Sequence, residues 1–214
     1  MFDLYVVTDE SLSKGRSNVE IARLAYEGGA DVVQLRMKNA SKEDMLRDAL
    51  KIKEIADDFD KFFFVNDNIE VAVESDADGV HLGQSDMPLE EAVDYIGTKK
   101  LIGISVTTVG EARKAEAGGA AYVGVGSIFN TSTKPDAAQS LGLDAIFTIS
   151  QAVDIPIVAI GGINQGNIQS VIRAGADCAA VVSAVVSQDD VRKAAHDLRD
   201  LILKARLRLT KALT

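Results

Sequence analysis

One short phrase recurs four times along the chain: GGADVVQLR at 28–36, SDADGVHLG at 75–83, GGAAYVGVGS at 118–127 and AGADCAAVVSAV at 174–185. Each copy is a turn of small residues that runs into an apolar segment with the character of a buried strand. The intervals between the alanines of successive copies, Ala30, Ala77, Ala120 and Ala176, leave room for a helix, another strand and another helix. The repeating unit is therefore a quarter of a barrel. Four units give eight strands alternating with eight helices, which predicts a closed parallel (β/α)8 TIM barrel with its chemistry on the loops at the C-terminal ends of the strands.

Composition narrows this further. A chain of 214 residues, 47% of them hydrophobic, can bury one sizeable core, and no Pro-rich, Ser-rich or low-complexity linker breaks the pattern, so a single domain over 1–214 is expected. A formal net charge of −9 argues against a broad nucleic-acid surface. Any anionic ligand must be gripped locally. The sole cysteine, Cys178, lies in the apolar run CAAVVSAVV and reads as a buried, inert thiol suited to a reducing compartment. The start MFDLYVVTDE carries no basic leader region, and no apolar stretch approaches membrane-spanning length. A cytoplasmic protein without membrane or nucleic-acid partners is expected. Barrel helices often pair, so a homo-oligomer is open, but no exposed stripe singles out an interface.

Periodicity places a first strand at 2–8 and a helix at 18–26, and the second strand ends in Gln34-Leu35-Arg36. Ser41 followed by Asp44 reads as an N-cap for a helix at 42–56, with Met45, Leu46, Leu50, Ile52 and Ile55 as its apolar positions. Further strands are expected at 62–65, 79–82, 101–104, 121–125, 157–160 and 179–182. Their continuous apolar character fits strands covered on both faces.

The strand ends carry the polar residues. Gln34, Arg36 and Lys38 alternate, so an extended chain would point an amide and two cations at the barrel mouth. The third strand runs into Asn66-Asp67 and the fourth into Gly83-Gln84-Ser85-Asp86. Taken singly, each aspartate could be a helix cap; as neighbours beside two cations they suit Mg2+, a hard ion that keeps waters and shares phosphate oxygens. The segment 127–140, SIFNTSTKPDAAQS, is long and polar with no evident core role, and it offers Thr131, Thr133 and Lys134 to polar or phosphate groups as a binding loop or lid; a surface excursion is the plain alternative. Gly161-Gly162 after the seventh strand and Val182-Ser183 after the eighth stand where barrels often bind phosphate through backbone N–H groups. His81 sits near the end of the fourth strand, suited either to acid–base work or to a structural imidazole. His196 reads as a surface or packing residue of the last helix.

Together these fragments resemble the thiamine-phosphate synthase family over nearly the whole chain: YVVTDE near the start, QLRMK at 34–38, VND at 65–67, DGVHLGQSD at 78–86, GISV at 103–106, VGVGSIFNTSTK at 123–134, AIGGIN at 159–164 and VVSAV on strand eight. The resemblance implies a transferase that joins an aminopyrimidine methyl diphosphate to a thiazole phosphate with Mg2+, releasing pyrophosphate. It implies Gln34 at the pyrimidine, Arg36, Lys38, Asn66 and Lys134 around the diphosphate, and Asp67 and Asp86 on the metal. It also implies polar contacts from Ser105, Thr131 and Thr133, and backbone groups of Gly162, Val182 and Ser183 at the thiazole phosphate. Met37 departs from relatives that carry an acid there, and its side chain should face away from Arg36 and Lys38. Two rivals stay open on fold alone: a thiazole tautomerase, which needs an acid or base in place of a diphosphate site, and a phosphate-sensing barrel without turnover.

Overall fold

The computed structural model describes residues 2–131 and 140–212. Eight parallel strands close in sequence order: β1 (Leu4–Val7), β2 (Val32–Leu35), β3 (Phe62–Asn66), β4 (Gly79–Leu82), β5 (Leu101–Val106), β6 (Tyr122–Val125), β7 (Ile157–Ile160) and β8 (Cys178–Val181), with β8 paired back on β1. Around them run α1 (Asn18–Glu27), α2 (Lys42–Asp58), α3 (Ile69–Glu74), α4 (Leu89–Ile96), α5 (Val109–Ala117), α6 (Leu143–Ser150), α7 (Ile168–Arg173), α8 (Ser183–Val186) and α9 (Val191–Ala212). The expected barrel is present. One helix exceeds the alternation: the single turn α8 is inserted between β8 and the long closing helix α9.

Local chemistry starts and stops these helices. Ser17, Ser41 and Asn68 each accept an N–H of the first turn through a side-chain oxygen, at 3.2, 3.1 and 2.9 Å, and Thr108 with Glu111 forms a complete capping box on α5. Burial then fixes the facing. Helix α1 turns Ile21, Ala22, Ala25 and Tyr26 to the sheet, and α2 turns Met45, Ala49, Ile52 and Ile55.

The strands divide two cores between them. Leu4, Val6, Val33, Leu35, Phe63 and Val65 point outward under the helices, while Tyr5, Val7, Val32, Phe64, Tyr122, Val158, Cys178 and Ala180 fill the barrel interior. The interior is aromatic on one side, which is possible because the neighbouring strands carry glycine in register with the rings, Gly79 beside Phe64 and Gly103 beside Tyr122. A Cβ at Gly103 would lie 2.1 Å from the Tyr122 ring, so β5 must be bare there for Tyr122 to cross the barrel.

At the N-terminal end of the barrel the fourfold repeat reappears as a hydrogen-bond device. Asp31, Asp78 and Asp177 immediately precede β2, β4 and β8. Each donates its backbone N–H to a carbonyl of the preceding strand (Leu4, Phe63 and Ile157, all 2.9 Å). The side-chain carboxylates accept in return from N–H groups of Asp3 and Leu4, of Phe63 and of Ile157. These strand-initial N–H groups have no ladder partner of their own, so each carboxylate satisfies a donor that burial would otherwise leave costly. The third copy departs from the rule: Ala121 keeps the backbone bond to the Ile102 carbonyl, 2.8 Å, but has no carboxylate. Arg206 from α9 clasps the same end, pairing with Asp3 at 2.8 Å and bonding to the Asp177 carbonyl.

Candidate active site

The opposite end holds a cavity of about 680 Å³, lined by residues from all eight strand exits. Gln34, Arg36, Lys38, Asn66, Asp67, Asp86, Ser105, Thr131, Gly162, Val182 and Ser183 all border it; Thr133 and Lys134 lie outside the described residues. Strand β2 stops at Leu35, one residue earlier than expected, because the Arg36 N–H turns to the Thr8 hydroxyl, 3.1 Å. All three alternating side chains reach the cavity nonetheless. Met37 does not border it. It packs against the outer core and lines a second, more open groove between the loops after β2 and β3, which Lys38, Asn66 and Asp67 share with the main cavity.

One wall of the cavity is a continuous chain of hydrogen-bonded polar groups. The Gln34 amide donates to the Tyr5 hydroxyl at 2.8 Å; Tyr5 and Tyr122 hydroxyls are bonded at 3.1 Å; Tyr122 meets His81 Nδ1 at 2.9 Å; and His81 Nε2 meets the Ser105 hydroxyl at 2.8 Å. The Gln84 amide donates to the Ser105 carbonyl at 2.7 Å. Burial pushes both phenols well above their ordinary pKa, so they remain protonated donors. The imidazole is stacked on the Tyr122 ring, 5.5 Å between centroids, and hydrogen-bonded at both nitrogens. These contacts fit the structural one of its two expected roles, with the ring at the cavity wall. Tyr5 and Tyr122 were not singled out in the sequence, where they look like two more apolar strand positions. The available signal was a hydroxyl-bearing ring at an inward position of a barrel strand, which needs a polar partner when buried. The rest of the barrel-interior lining is apolar, with Val7 beside Gln34 and Val158, Ile160, Ala180 and Val182 on the side of β7 and β8.

Beside the ring space lie the ionic groups. Asp67 has a left-handed backbone, φ 62°, tolerable for Asp, and donates its N–H to the His81 carbonyl at 2.9 Å. Its carboxyl is pushed up to about 6, first by burial and then by the carboxylate of Asp86, with Asn66 and Arg36 pulling the other way. Asp86 also accepts the Gly83 N–H at 2.6 Å. Two carboxylates that crowd one another in this way hold either a shared proton or a cation. Oxygen-only donors with room for water and phosphate fit Mg2+, although no cluster of three or more ligating side chains occurs among the described residues. Arg36 is held by Asp9 at 3.1 Å. Asp9 is a third residue that strand periodicity does not flag, since it lies beyond the end of β1.

The third part of the mouth is backbone. Gly161 and Gly162 have φ of 102° and 65°, and a Cβ at Gly162 would lie 2.7 Å from the Asn130 carbonyl oxygen. The short helix α8 follows β8 directly, starting at Ser183. The start of the 127–140 segment corrects the expectation that it has no core role: Ile128 is fully buried, and Ile128 and Phe129 donate to the carbonyls of Ile160 and Gly161 at 2.9 and 3.0 Å. Leu141 and Gly142 return to the carbonyls of Ser127 and Ile128. The first described end is thus stitched to the exit of β7, and the second to the first.

Fold and mouth define the class: a (β/α)8-barrel enzyme acting on small molecules at the C-terminal face of its strands. The model of the family described as thiamine monophosphate synthase matches residues 4–185. The thiamine-phosphate synthase of Chloroflexus aurantiacus is 53% identical over 199 residues, covering 93% of this chain and 92% of that protein, and that of Methanocella arvoryzae is 49% identical over 206 residues, covering 96% and 97%. The solved thiamine phosphate pyrophosphorylase of Pyrococcus furiosus superposes with a TM-score of 0.89 at 42% identity, covering 95% of this chain and 96% of that one. The chain belongs to the thiamine monophosphate synthase family. It is a transferase of thiamine biosynthesis with thiamine-phosphate synthase activity.

Proposed function

We propose that the enzyme condenses 4-amino-2-methyl-5-(diphosphooxymethyl)pyrimidine with 4-methyl-5-(2-phosphooxyethyl)thiazole, giving thiamine phosphate and pyrophosphate by a dissociative substitution. One observation carries the reading: in one cavity a hydrogen-bonded wall of amide, hydroxyl and imidazole groups shares the lining with Arg36, Lys38 and the paired carboxylates Asp67 and Asp86. A ring whose diphosphate must depart needs both, side by side.

In this reading Gln34 and Ser105 meet the polar edge of the pyrimidine, and the wall of neutral hydroxyls avoids placing a fixed anion or cation against it. The bond from the methylene carbon to the diphosphate oxygen breaks first; the ring amino group delocalises the positive charge left behind. The thiazole nitrogen then supplies its electron pair to the methylene carbon, forming the new C–N bond. Arg36, Lys38 and Asn66 stabilise the negative charge that builds on the leaving group, and Lys134 and Thr133 join them on sequence grounds. Asp67 and Asp86 would hold Mg2+, which supplies neutralisation of diphosphate charge when bound. Gly162, Val182, Ser183 and Thr131 fix the thiazole phosphate, so that the nucleophile lies in line while the apolar wall excludes water.

The engagement of both His81 nitrogens supports this reading over a proton-shuttling tautomerase. A cytoplasmic location fits the reading; among the described residues no helix is long and apolar enough to cross a membrane. The test is an assay with both substrates, with and without Mg2+, following thiamine phosphate and pyrophosphate. Stoichiometric release of the two, lost on chelation, is expected. Turnover of the thiazole phosphate alone, with no pyrophosphate, would contradict the reading.

A further inference from the structure

We propose that Asp9 is the positioning residue for Arg36, fixing its guanidinium as a donor toward the diphosphate end of the cavity and keeping it off the Asp67 and Asp86 carboxylates. The proposal rests on the reading of that end as the diphosphate site.

Arg36 borders the cavity and Asp9 does not. Asp9 Oδ2 accepts from Arg36 Nη1 at 3.1 Å, while its other oxygen, Oδ1, accepts the Ser11 hydroxyl. Both side chains of the pair are withdrawn from solvent, 16% exposed for Arg36 and 12% for Asp9. The preceding residue holds the backbone of the same arginine: the fully buried Thr8 accepts the Arg36 N–H at 3.1 Å and donates its own N–H to the Gln34 carbonyl at 2.9 Å. Two consecutive residues leaving β1 therefore grip Arg36 at its main chain and at its head.

Charge alone gives no reason for this arrangement. A carboxylate this close to an anion site repels the anion, so Asp9 should weaken diphosphate binding unless it contributes geometry. The geometric need is visible nearby. Arg36, Asp67 and Asp86 line the same cavity, so a long, flexible cation there has two carboxylates on which to collapse. Collapse would occupy the carboxylates and withdraw the donor. A guanidinium is a planar fork of five N–H groups, so one nitrogen anchored on Asp9 sets the plane and leaves the other N–H groups to reach phosphate oxygens.

Sign separates positioning from plain electrostatics. Binding of inorganic pyrophosphate with Mg2+ is measured by calorimetry for the native enzyme, Asp9→Asn, Asp9→Ala, Arg36→Ala and the double variant Asp9→Asn/Arg36→Ala, with thermal unfolding run on each to establish that it is folded. Positioning predicts that both Asp9 variants bind pyrophosphate about tenfold more weakly, the scale of a lost charge-assisted hydrogen bond. It also predicts that the double variant binds no more weakly than Arg36→Ala, because the two residues act as one unit. In steady state the KM for the pyrimidine diphosphate rises and that for the thiazole phosphate does not. Unchanged or tighter pyrophosphate binding by Asp9→Asn, or additive losses in the double variant, would overturn the proposal. Full pyrophosphate affinity in Arg36→Ala would overturn the reading of this end of the cavity, and the proposal with it.

Discussion

The two ends of the barrel use the same residue type to opposite effect. At the N-terminal end Asp31 is half-buried, which by itself would raise its pKa, yet Lys61 and the N–H groups of Asp3 and Leu4 more than reverse that, and it is held below the ordinary value. At the mouth Asp67 is the more exposed of the two, but desolvation at the cavity wall and the carboxylate of Asp86 push its pKa up to about 6. One carboxylate is finished by its surroundings; the other is left wanting a cation. In a folded protein the first arrangement adds stability and the second costs it, and a cost retained at a strand C-terminus marks a place kept for chemistry.

The sign of each effect follows from linkage. A carboxyl lowered by folding contributes stability above its unfolded value, lost as pH falls through its folded one; this is Asp31, below pH 3.8. A carboxyl raised by folding does the reverse. Between 3.8 and about 6 the folded protein holds a proton on Asp67 that the unfolded chain has released, so stability falls as pH rises through that window and stays reduced above it.

The largest expected effect is on turnover. Asp67→Ala or Asp86→Ala should lower kcat by about a hundredfold or more, the scale of removing one charge-stabilising group, while leaving the barrel folded. Steady-state assay with circular dichroism checks both halves, and an Asp86→Ala enzyme that works normally after chelation would remove the metal assignment. Gly162→Ala should come next. Its Cβ meets the Asn130 carbonyl and Phe129 at a φ of 65°, so the loop after β6 must shift against the loop after β7. Affinity for the thiazole phosphate should fall about tenfold, or 1.4 kcal/mol, with pyrophosphate binding unchanged, as titration of each ligand would show.

Changes at the N-terminal end should move stability only. Asp78→Ala leaves the buried Phe63 N–H without its partner and should cost about 1–3 kcal/mol in denaturant unfolding, with kcat unchanged. The smallest effect is a gain. Ala121→Asp would supply the carboxylate missing from the third repeat, opposite Ile102, and should add about 0.5–1.5 kcal/mol. A loss there would show that the fourfold device does not extend to β5 and β6.

The repeat makes the barrel legible because small residues and an apolar run return in step four times, which fits eight strands alternating with eight helices in one closed sheet. The aspartates are in view within three of the four phrases, but their partners lie on the neighbouring strand, so their role needs register. The cations and carboxylates at the strand exits stood out as polar residues where packing wants apolar ones. Tyr5 and Tyr122 did not, since their rings satisfy the apolar pattern and only their hydroxyls belong to the site. Ile128 was hidden for the converse reason, a core residue in a polar segment, and α8 because four residues carry no periodicity.

The contrast between the two ends is tested most directly by thermal unfolding across pH of Asp67→Asn and Asp78→Asn, paired with kcat for each. Asp67→Asn should be more stable than the native enzyme at neutral pH, lose that advantage below pH 3.8, and be nearly inactive. Asp78→Asn should be less stable at neutral pH and retain kcat. An Asp67→Asn protein that is destabilised at neutral pH, or an Asp78→Asn protein that folds but does not turn over, would contradict the division of labour between the two ends of the barrel.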